Sequence, residues 1–453
     1  MPGTASEQQA RLLRAGHATM KLRYGFNEIY GWWHFSQGEH REEIQRRLKL
    51  MDTRVVRLFV FDQPVPDPFK DWSSFEHLVQ AVLDIGAKPM ITFAKFPAPY
   101  DRPKNIRDFV LRTAEVVWGC IERWGGEEVS HWYWGVWNEP NNLIVGGDVS
   151  IEQYIRIYDS LSDEILRQLA PFLGPRKALI GGPAIDGTHR AFWMDWILRL
   201  LSDVGDRKLG FVSWHRYGDW RPAVPSGSLP GVVMWGAPES PNEEEFEPLL
   251  LAQTPGYEAA ARSVSRLLAG REVLNVCGEL NTMSHHEHYY TLGYNQNLLG
   301  AAYYASALIH LIRGGADMEL RWTATAHTEA YGLISREGKA SPAALAKQLF
   351  AQHIRYGDSL RFPANVPGLP QLDAIVAKSG DGRLSAVFVN TSRDAVTLDP
   401  SDWDDELASC KDFFLLDATT GERIAAQKFG GRITLNGYGL GVITTAGASA
   451  VID

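Results

Sequence analysis

A (β/α)8 barrel followed by a smaller C-terminal antiparallel β-sandwich is the α/β architecture this sequence predicts. Three observations point to it. Short apolar, β-rich runs recur with amphipathic helical patterns between them, as parallel βα units require, and eight such units can be placed. The chain has 453 residues, more than a barrel alone needs, since barrels start at ~250. From about Tyr356 the helical patterns stop, and strands separated by turns take over.

The eight runs begin near Leu22, Val55, Met90, Trp132, Ala178, Phe211, Val273 and Leu320. The segments between them are long enough for crossover helices. Two helix starts are marked by capping boxes. Ser150 with Gln153 precedes a stripe of Ile151, Tyr154, Ile155, Tyr158, Leu161 and Ile165; Ser73 with Glu76 does the same for Phe75, Leu78, Val79 and Val82. After the sixth run, Pro222, Pro225, Pro230, Pro238 and Pro241 interrupt any helix until about Glu243. A loop of that length in a compact domain is usually functional, and here it would leave the catalytic face of a barrel. The C-terminal strands are expected at Leu372–Lys378, Leu384–Val389, Phe413–Leu416 and Ile433–Leu435. The expected division is therefore an N-terminal extension over 1–20, a barrel over 21–355 and a β-domain over 356–453.

Hydrophobic residues make up 45% and charged residues 22%, which supports a large core rather than a disordered chain. With 45 basic against 54 acidic residues the net charge is -9, the wrong sign for neutralising nucleic acid or an anionic membrane. Neither partner is expected. The 15 Trp, 16 Tyr and 19 Phe suit a sugar-binding surface as well as a core, because aromatic faces stack on the C–H faces of sugar rings. Cys120, Cys277 and Cys410 are an odd number without metal-type spacing, which fits a reducing compartment. Met1 to Arg23 lacks the apolar core of a signal peptide. A cytoplasmic location is the expectation, or a secreted one had a leader been removed.

The chemistry lies in two strand ends. Trp137-Asn138-Glu139-Pro140-Asn141 follows the fourth run directly. Glu-Pro cannot continue a helix or an interior strand, so Glu139 belongs at an element's end, where a barrel side chain points into the catalytic bowl. The seventh run ends in Cys277-Gly278-Glu279-Leu280-Asn281. Period-two alternation predicts that Leu274 and Val276 face the helices and that Asn275, Cys277 and Glu279 face the barrel axis. Two carboxylates are what glycoside hydrolysis needs, one protonated to donate to the leaving oxygen and one ionised to attack. Their environments must hold those different states at one pH.

An Asn-Glu-Pro after strand four and a glutamate ending strand seven resemble clan A of the glycoside hydrolases, the retaining 4/7 superfamily. Within it, Trp137–Asn141 and the Glu279-Leu280-Asn281 triplet resemble family 39, whose members include β-xylosidases and α-L-iduronidases. The resemblance extends along the strands from about Leu22 to Thr323 and into the C-terminal β-domain. One departure is Gly278-Glu279-Leu280-Asn281, where that family usually carries Thr-Glu-Trp-Asn.

The resemblance implies a retaining hydrolase, most like a β-xylosidase, with Glu139 as general acid/base and Glu279 as nucleophile. It implies that Asn138 binds the sugar 2-hydroxyl, that His215 and Tyr217 hold the Glu279 carboxylate, that Arg57 keeps it ionised, and that Trp322 floors the subsite. Asn281 is placed with the substrate-binding residues. For each of these side residues the competing reading is barrel packing or a structural ion pair. A carbohydrate is the expected partner, with no cofactor and no metal.

Ser284-His285-His286-Glu287-His288 invites a metal reading, but consecutive loop residues do not converge as zinc ligands must. These histidines, just after Glu279, are placed at the pocket instead. Gly437-Tyr438-Gly439-Leu440-Gly441 lacks the following helix of a phosphate cradle. Trp132, Tyr133 and Trp134 read as core. Two alternatives stand beside the main reading: a non-catalytic sugar-binding barrel, which would most simply have lost a carboxylate, and an endo-acting clan A glycanase, which would need an open groove.

Overall fold

The computed structural model describes residues 18–61, 66–94, 99–100, 102–142, 147, 149–188, 192–218, 243–282, 293–325, 331–363, 369–402, 405–421 and 423–446. The loop expected after the sixth barrel strand (219–242) and the His285–His288 segment lie outside them. A two-residue strand β1 (Ala18–Thr19) precedes eight parallel strands: β2 (Arg23–Glu28), β3 (Thr53–Val60), β4 (Lys88–Phe93), β5 (Tyr133–Val136), β6 (Leu179–Ile185), β7 (Phe211–Tyr217), β8 (Leu274–Asn281) and β9 (Met318–Trp322). These close into a barrel in chain order, with β9 pairing back onto β2.

The barrel has two apolar layers. Val55, Met90, Tyr133, Phe211, Val276, Met318 and Leu320 form a buried plug, one side chain or two from each of several strands. Such a packed interior leaves only the C-terminal rim for chemistry. The second layer lies between strands and helices and includes Trp132, Trp134 and Cys277. Trp132 and Trp134 stack at 6.3 Å, as core. All three cysteines are buried, and none forms a disulfide. Among the described residues no helix is long and apolar enough to cross a membrane.

The expected phase of β8 is inverted over its first half. Leu274 and Val276 join the plug, while Asn275 turns to the helix Pro255–Leu267 and donates to the Ala261 carbonyl and Ser265 Oγ at 2.8 and 2.9 Å. Glu279 still faces the axis because the register shifts before it: Cys277 pairs with Trp214 of β7, but Glu279 pairs with the next residue, His215. Gly278 is thus the extra residue of a β-bulge, and a bulge resets the in-out alternation.

One helix start is as expected and one is not. Ser150 and Gln153 exchange a full capping box on Ile151–Leu173, with Gln153 N–H donating to Ser150 Oγ and Ser150 N–H to Gln153 Oε1. The helix Trp72–Asp84 is capped instead by Asp71, whose carboxylate accepts from Ser74 N–H at 3.0 Å. Ser73 sits inside its first turn. Aspartate caps as well as serine, and it lies where the chain enters the helix.

The remaining strands are β10 (Ser359–Arg361), β11 (Leu372–Lys378), β12 (Leu384–Asn390), β13 (Val396–Leu398), β14 (Asp412–Leu416), β15 (Ala425–Lys428), β16 (Ile433–Leu435) and β17 (Leu440–Thr444). A seven-stranded sheet runs β1-β10-β11-β12-β17-β14-β15, and a ribbon of β13 and β16 forms the second layer. The sandwich is therefore lopsided. Ala18 pairs with Leu360, so part of the expected N-terminal extension is an edge strand of this sheet. One sheet face packs on the ribbon through residues such as Phe388, Phe413 and Leu435. The other joins the barrel's helix-side core through Ile375, Val387, Phe414 and Val442. The Gly437–Gly441 run is the turn into β17, and its Tyr438 hydroxyl donates to Glu247 Oε2 at 2.6 Å.

Candidate active site

Glu139 stands just past β5 on strained backbone. Trp137, Glu139 and, on β6, Ala184 all have positive φ (75°, 49° and 54°), a region that side-chain-bearing residues avoid unless their surroundings impose it. Here the imposition is visible. Trp137 N–H donates to the Phe93 carbonyl at 3.0 Å, Glu139 N–H to the Ala184 carbonyl at 2.9 Å, and Ala184 N–H to Ser213 Oγ at 3.0 Å. The acid thus hangs between β4, β6 and β7. Pro140, which has no N–H to pair, follows it.

Glu139 and Glu279 meet over the plug. Both are buried, at 6% and 4% exposed, and one oxygen of each lies within 4.8 Å of the other and of a His215 ring nitrogen. Glu279 Oε1 accepts from Arg57 Nη1 at 2.8 Å, and Oε2 from the Tyr217 hydroxyl at 2.7 Å. His215 takes a different partner from the one expected: its Nδ1 lies 2.7 Å from Glu139 Oε1 and 3.5 Å from Glu279 Oε2. The bulge sets Glu279 opposite His215 instead of Arg216, and the imidazole lies between the two carboxylates, nearer Glu139.

Burial pushes the Glu279 carboxyl above its ordinary value; charge on His215 would oppose this, Glu139 adds to it, and Arg57 and Tyr217 pull it down. The imidazole is itself pushed down to about 3 by burial and is neutral at ordinary pH. The opposing charge is then that of Arg57. Burial also lowers the Arg57 pKa, against Glu279, but a guanidinium remains charged in proteins. Among the described residues His215 Nε2 is buried without a hydrogen-bond partner. A bare lone pair there costs less than an orphaned N–H, which places the proton on Nδ1, donating to Glu139.

Arg57 organises the rest. Its Nη2 donates to Asn138 Oδ1 at 2.8 Å, its Nε to Thr92 Oγ1 at 3.0 Å, and its Nη1 also reaches Asn27 Oδ1 at 3.2 Å. Asn27 Nδ2 in turn donates to the bulge carbonyl of Gly278 at 3.0 Å and to Leu320 at 3.1 Å. Trp322 is half-buried and meets Phe59 and Tyr30 edge-on, at 5.9 and 6.0 Å. Asn281, expected among the substrate-binding residues, is fully buried, and its amide donates to the Trp322 carbonyl and accepts from Thr282 N–H.

Asn27, Thr92, Asn142 and Asp186 escaped the sequence reading. A polar side chain at an inward position of an otherwise apolar strand was the available signal for Asn27 and Thr92. Among the described residues, Glu139, His215 and Glu279 form the one cluster able to offer three metal ligands. Arg57 already occupies Glu279, so a cation there would face a guanidinium at contact distance.

Residues 79–229 match the family described as Glycosyl hydrolases family 39, a stretch that contains Asn138 and Glu139 and ends before Glu279. The resemblance read from Trp137–Asn141 is thus matched over the segment that carries it. A Beta-xylosidase of Geobacillus stearothermophilus is 29% identical over 166 residues, 33% of this chain and 31% of that protein. The alignment therefore spans about a third of that relative. The fold is similar to that of a monomeric beta-xylosidase from Caulobacter crescentus, with a TM-score of 0.62 and 16% identity over 95% of this chain and 97% of the other. It is also similar to that of a GH30 endoxylanase from Clostridium papyrosolvens, with a TM-score of 0.62 and 12% identity over 95% and 97%. At these identities the structural likeness establishes the barrel with its β-domain.

Proposed function

We propose that this chain, family-39-like in sequence and a clan A barrel in fold, is a retaining glycoside hydrolase acting on β-xyloside-like substrates. The observation that carries the reading is the approach of one Glu139 oxygen to within 4.8 Å of one Glu279 oxygen across the rim. Retaining enzymes hold their carboxylates ~5 to 5.5 Å apart, whereas inversion needs ~6.5 to 9.5 Å to admit a water. The β-xyloside preference comes from the names of the relatives alone.

In this scheme Glu279 attacks the anomeric carbon as Glu139 gives its proton to the leaving oxygen, and a covalent glycosyl ester forms. Arg57 and Tyr217 fix the attacking carboxylate by its two oxygens and favour its charged form. Esterification removes the Glu279 charge. Glu139 is then easier to deprotonate, and it acts as base for the water that cleaves the ester. Arg57 holds the Asn138 oxygen, so the sugar 2-hydroxyl contact falls to Asn138 Nδ2. Trp322 offers its ring as one wall of the subsite.

The test is turnover of aryl β-xyloside beside aryl β-glucoside, β-galactoside, α-arabinoside and uronide. Wild-type protein is expected to prefer the xyloside. Glu279→Gly is expected to lose turnover on all of them and to recover with azide, giving an inverted glycosyl azide, since a small anion can stand in for the missing nucleophile. Near wild-type turnover by Glu279→Gly overturns the assignment. Release of internal fragments from xylan, with no aryl xyloside cleaved, favours endo action instead.

A further inference from the structure

We propose that Asp186, acting through Asn142, is a positioning residue that keeps Glu139 in its proton-holding form. The inference rests on the role of Glu139 proposed above and goes beyond it. Asp186 follows β6 and is 2% exposed. Its backbone is clasped by Asn141 from both sides: Asp186 N–H donates to Asn141 Oδ1, and Asn141 Nδ2 donates to the Asp186 carbonyl, each at 2.9 Å. The carboxylate is therefore set by the same five-residue turn that carries the acid. Asn142 Nδ2 then spans the two carboxylates, donating to Glu139 Oε2 at 3.1 Å and to Asp186 Oδ2 at 3.0 Å. An amide NH2 has two hydrogens, and each finds a carboxylate oxygen.

The arrangement answers a chemical difficulty. Glu139 Oε1 faces His215 Nδ1 and Oε2 faces Asn142, and two donors on one carboxylate favour its ionised form, the wrong state for an acid. Negative charge nearby has the opposite effect. Asp186 supplies it throughout, and Glu279 adds to it until it is esterified, so that Glu139 holds its proton for the first step and gives it up for the second. The other titratable or charged groups facing Glu139 among the described residues are His215, neutral by burial, Arg57 and Tyr217. None of these provides a lasting negative charge. Asn142 keeps the Asp186 carboxylate one amide away, close enough to act by its charge and too far to take the acid's proton.

The test is the pH profile of kcat/KM for wild-type, Asp186→Asn and Asn142→Ala, measured with nitrophenyl and with alkyl β-xyloside and alongside thermal unfolding. Asp186→Asn keeps an acceptor for Asn142 but removes the charge. It is expected to move the alkaline limb, set by Glu139, downward by on the order of one pH unit, with no comparable change in the acid limb. Asn142→Ala is expected to lose roughly 10-fold on the alkyl xyloside and much less on the nitrophenyl xyloside, because only the basic leaving group needs a well-placed acid. Asp186→Glu is expected to restore the limb in part.

An unmoved alkaline limb in folded Asp186→Asn overturns the proposal, as does an equal loss on both substrates with Asn142→Ala. Should Asp186→Asn not fold, Asn142→Ala and Asp186→Glu carry the same test. Wild-type protein without glycosidase activity would instead overturn the function from which the inference starts.

Discussion

Glu139 meets His215 on one oxygen and Asn142 on the other, while Glu279 is held by Arg57 and Tyr217. The two carboxylates are thus distinguished by what donates to them. Glu279 has a permanent cation, whereas the donors described on Glu139, His215 and Asn142, are neutral. That asymmetry predicts different signatures on mutation. Glu139→Ala is expected to cost little in glycosylation by nitrophenyl xyloside, whose leaving group departs nearly unaided, and ~10² to 10⁴-fold on alkyl xylosides. Loss of the base should also slow hydrolysis of the ester. Stopped-flow kinetics should then show a nitrophenol burst before a slow steady state, with azide accelerating the second phase and yielding a retained azide. Equal loss on both substrates with no burst would remove Glu139 from this role. At this scale the pentapeptide Trp137–Asn141 made the place of Glu139 legible, because Glu-Pro cannot continue a helix or an interior strand. Asp186 was hidden, since no local pattern says which aspartate an asparagine will face across a turn.

At the scale of elements, β8 shows how a correct residue can follow from an inverted strand. Simple alternation placed Cys277 and Glu279 on one face, yet Cys277 packs with the helices and Glu279 with the site. The bulge at Gly278 separates them. A bulge depends on pairing with β7 and on Asn27 reaching the Gly278 carbonyl, and neither is encoded in the period of β8 itself. The barrel closure has a similar dependence at Gly25 of β2, where an added Cβ would lie 2.5 Å from the Val55 carbonyl and 2.4 Å from Leu320 Cδ2. The carbonyl cannot swing aside. Gly25→Ala is therefore expected to destabilise the fold by ~1 to 3 kcal/mol through overpacking, read from the midpoint of denaturant unfolding. An unchanged midpoint would mean that the β2–β3 junction gives way more readily than the geometry implies.

Across the whole molecule, the β-domain is fastened to the barrel by charge as well as by apolar contact. His310, on the helix Leu298–Gly314, faces Glu258 Oε2 at 3.0 Å and Asp373 Oδ1 of β11 at 3.5 Å. Burial opposes charge on the imidazole, but Asp373 and Glu258 outweigh it and raise its pKa. The Glu258 and Asp373 carboxyls are both lowered: burial opposes this, and His310 is the foremost of the groups that outweigh it. The signs give a window. The histidine's contribution is complete below its ordinary value of ~6.5 and is lost as pH rises through the raised one. The carboxylates contribute above their ordinary ~4 and lose that as pH falls through the lowered values. His310→Ala is therefore expected to lower stability by ~1.5 to 3 kcal/mol near pH 5.5 and by less near pH 8.5, in unfolding measured at both. A penalty independent of pH would assign His310 to packing alone.

By itself the sequence determined the class of the molecule and the positions of its two acids. Eight apolar runs with helical spacing between them leave a closed parallel sheet as the simplest way to bury their faces, and Glu-Pro and a strand-final glutamate fall at its rim. These signals are local, carried by period, propensity and the missing proline N–H. Only the tertiary structure decided who meets whom: His215 against Glu139 rather than Glu279, Arg57 joined to Asn27, Thr92, Asn138 and Glu279, Asn142 bridging to Asp186, and Ala18–Thr19 returning to an edge beside Ser359–Leu360. Each of these turns on a register or a turn geometry fixed by contacts between distant segments. A shift of one residue in a strand exchanges its two faces, and a single chain's pattern does not record the pairing that sets it.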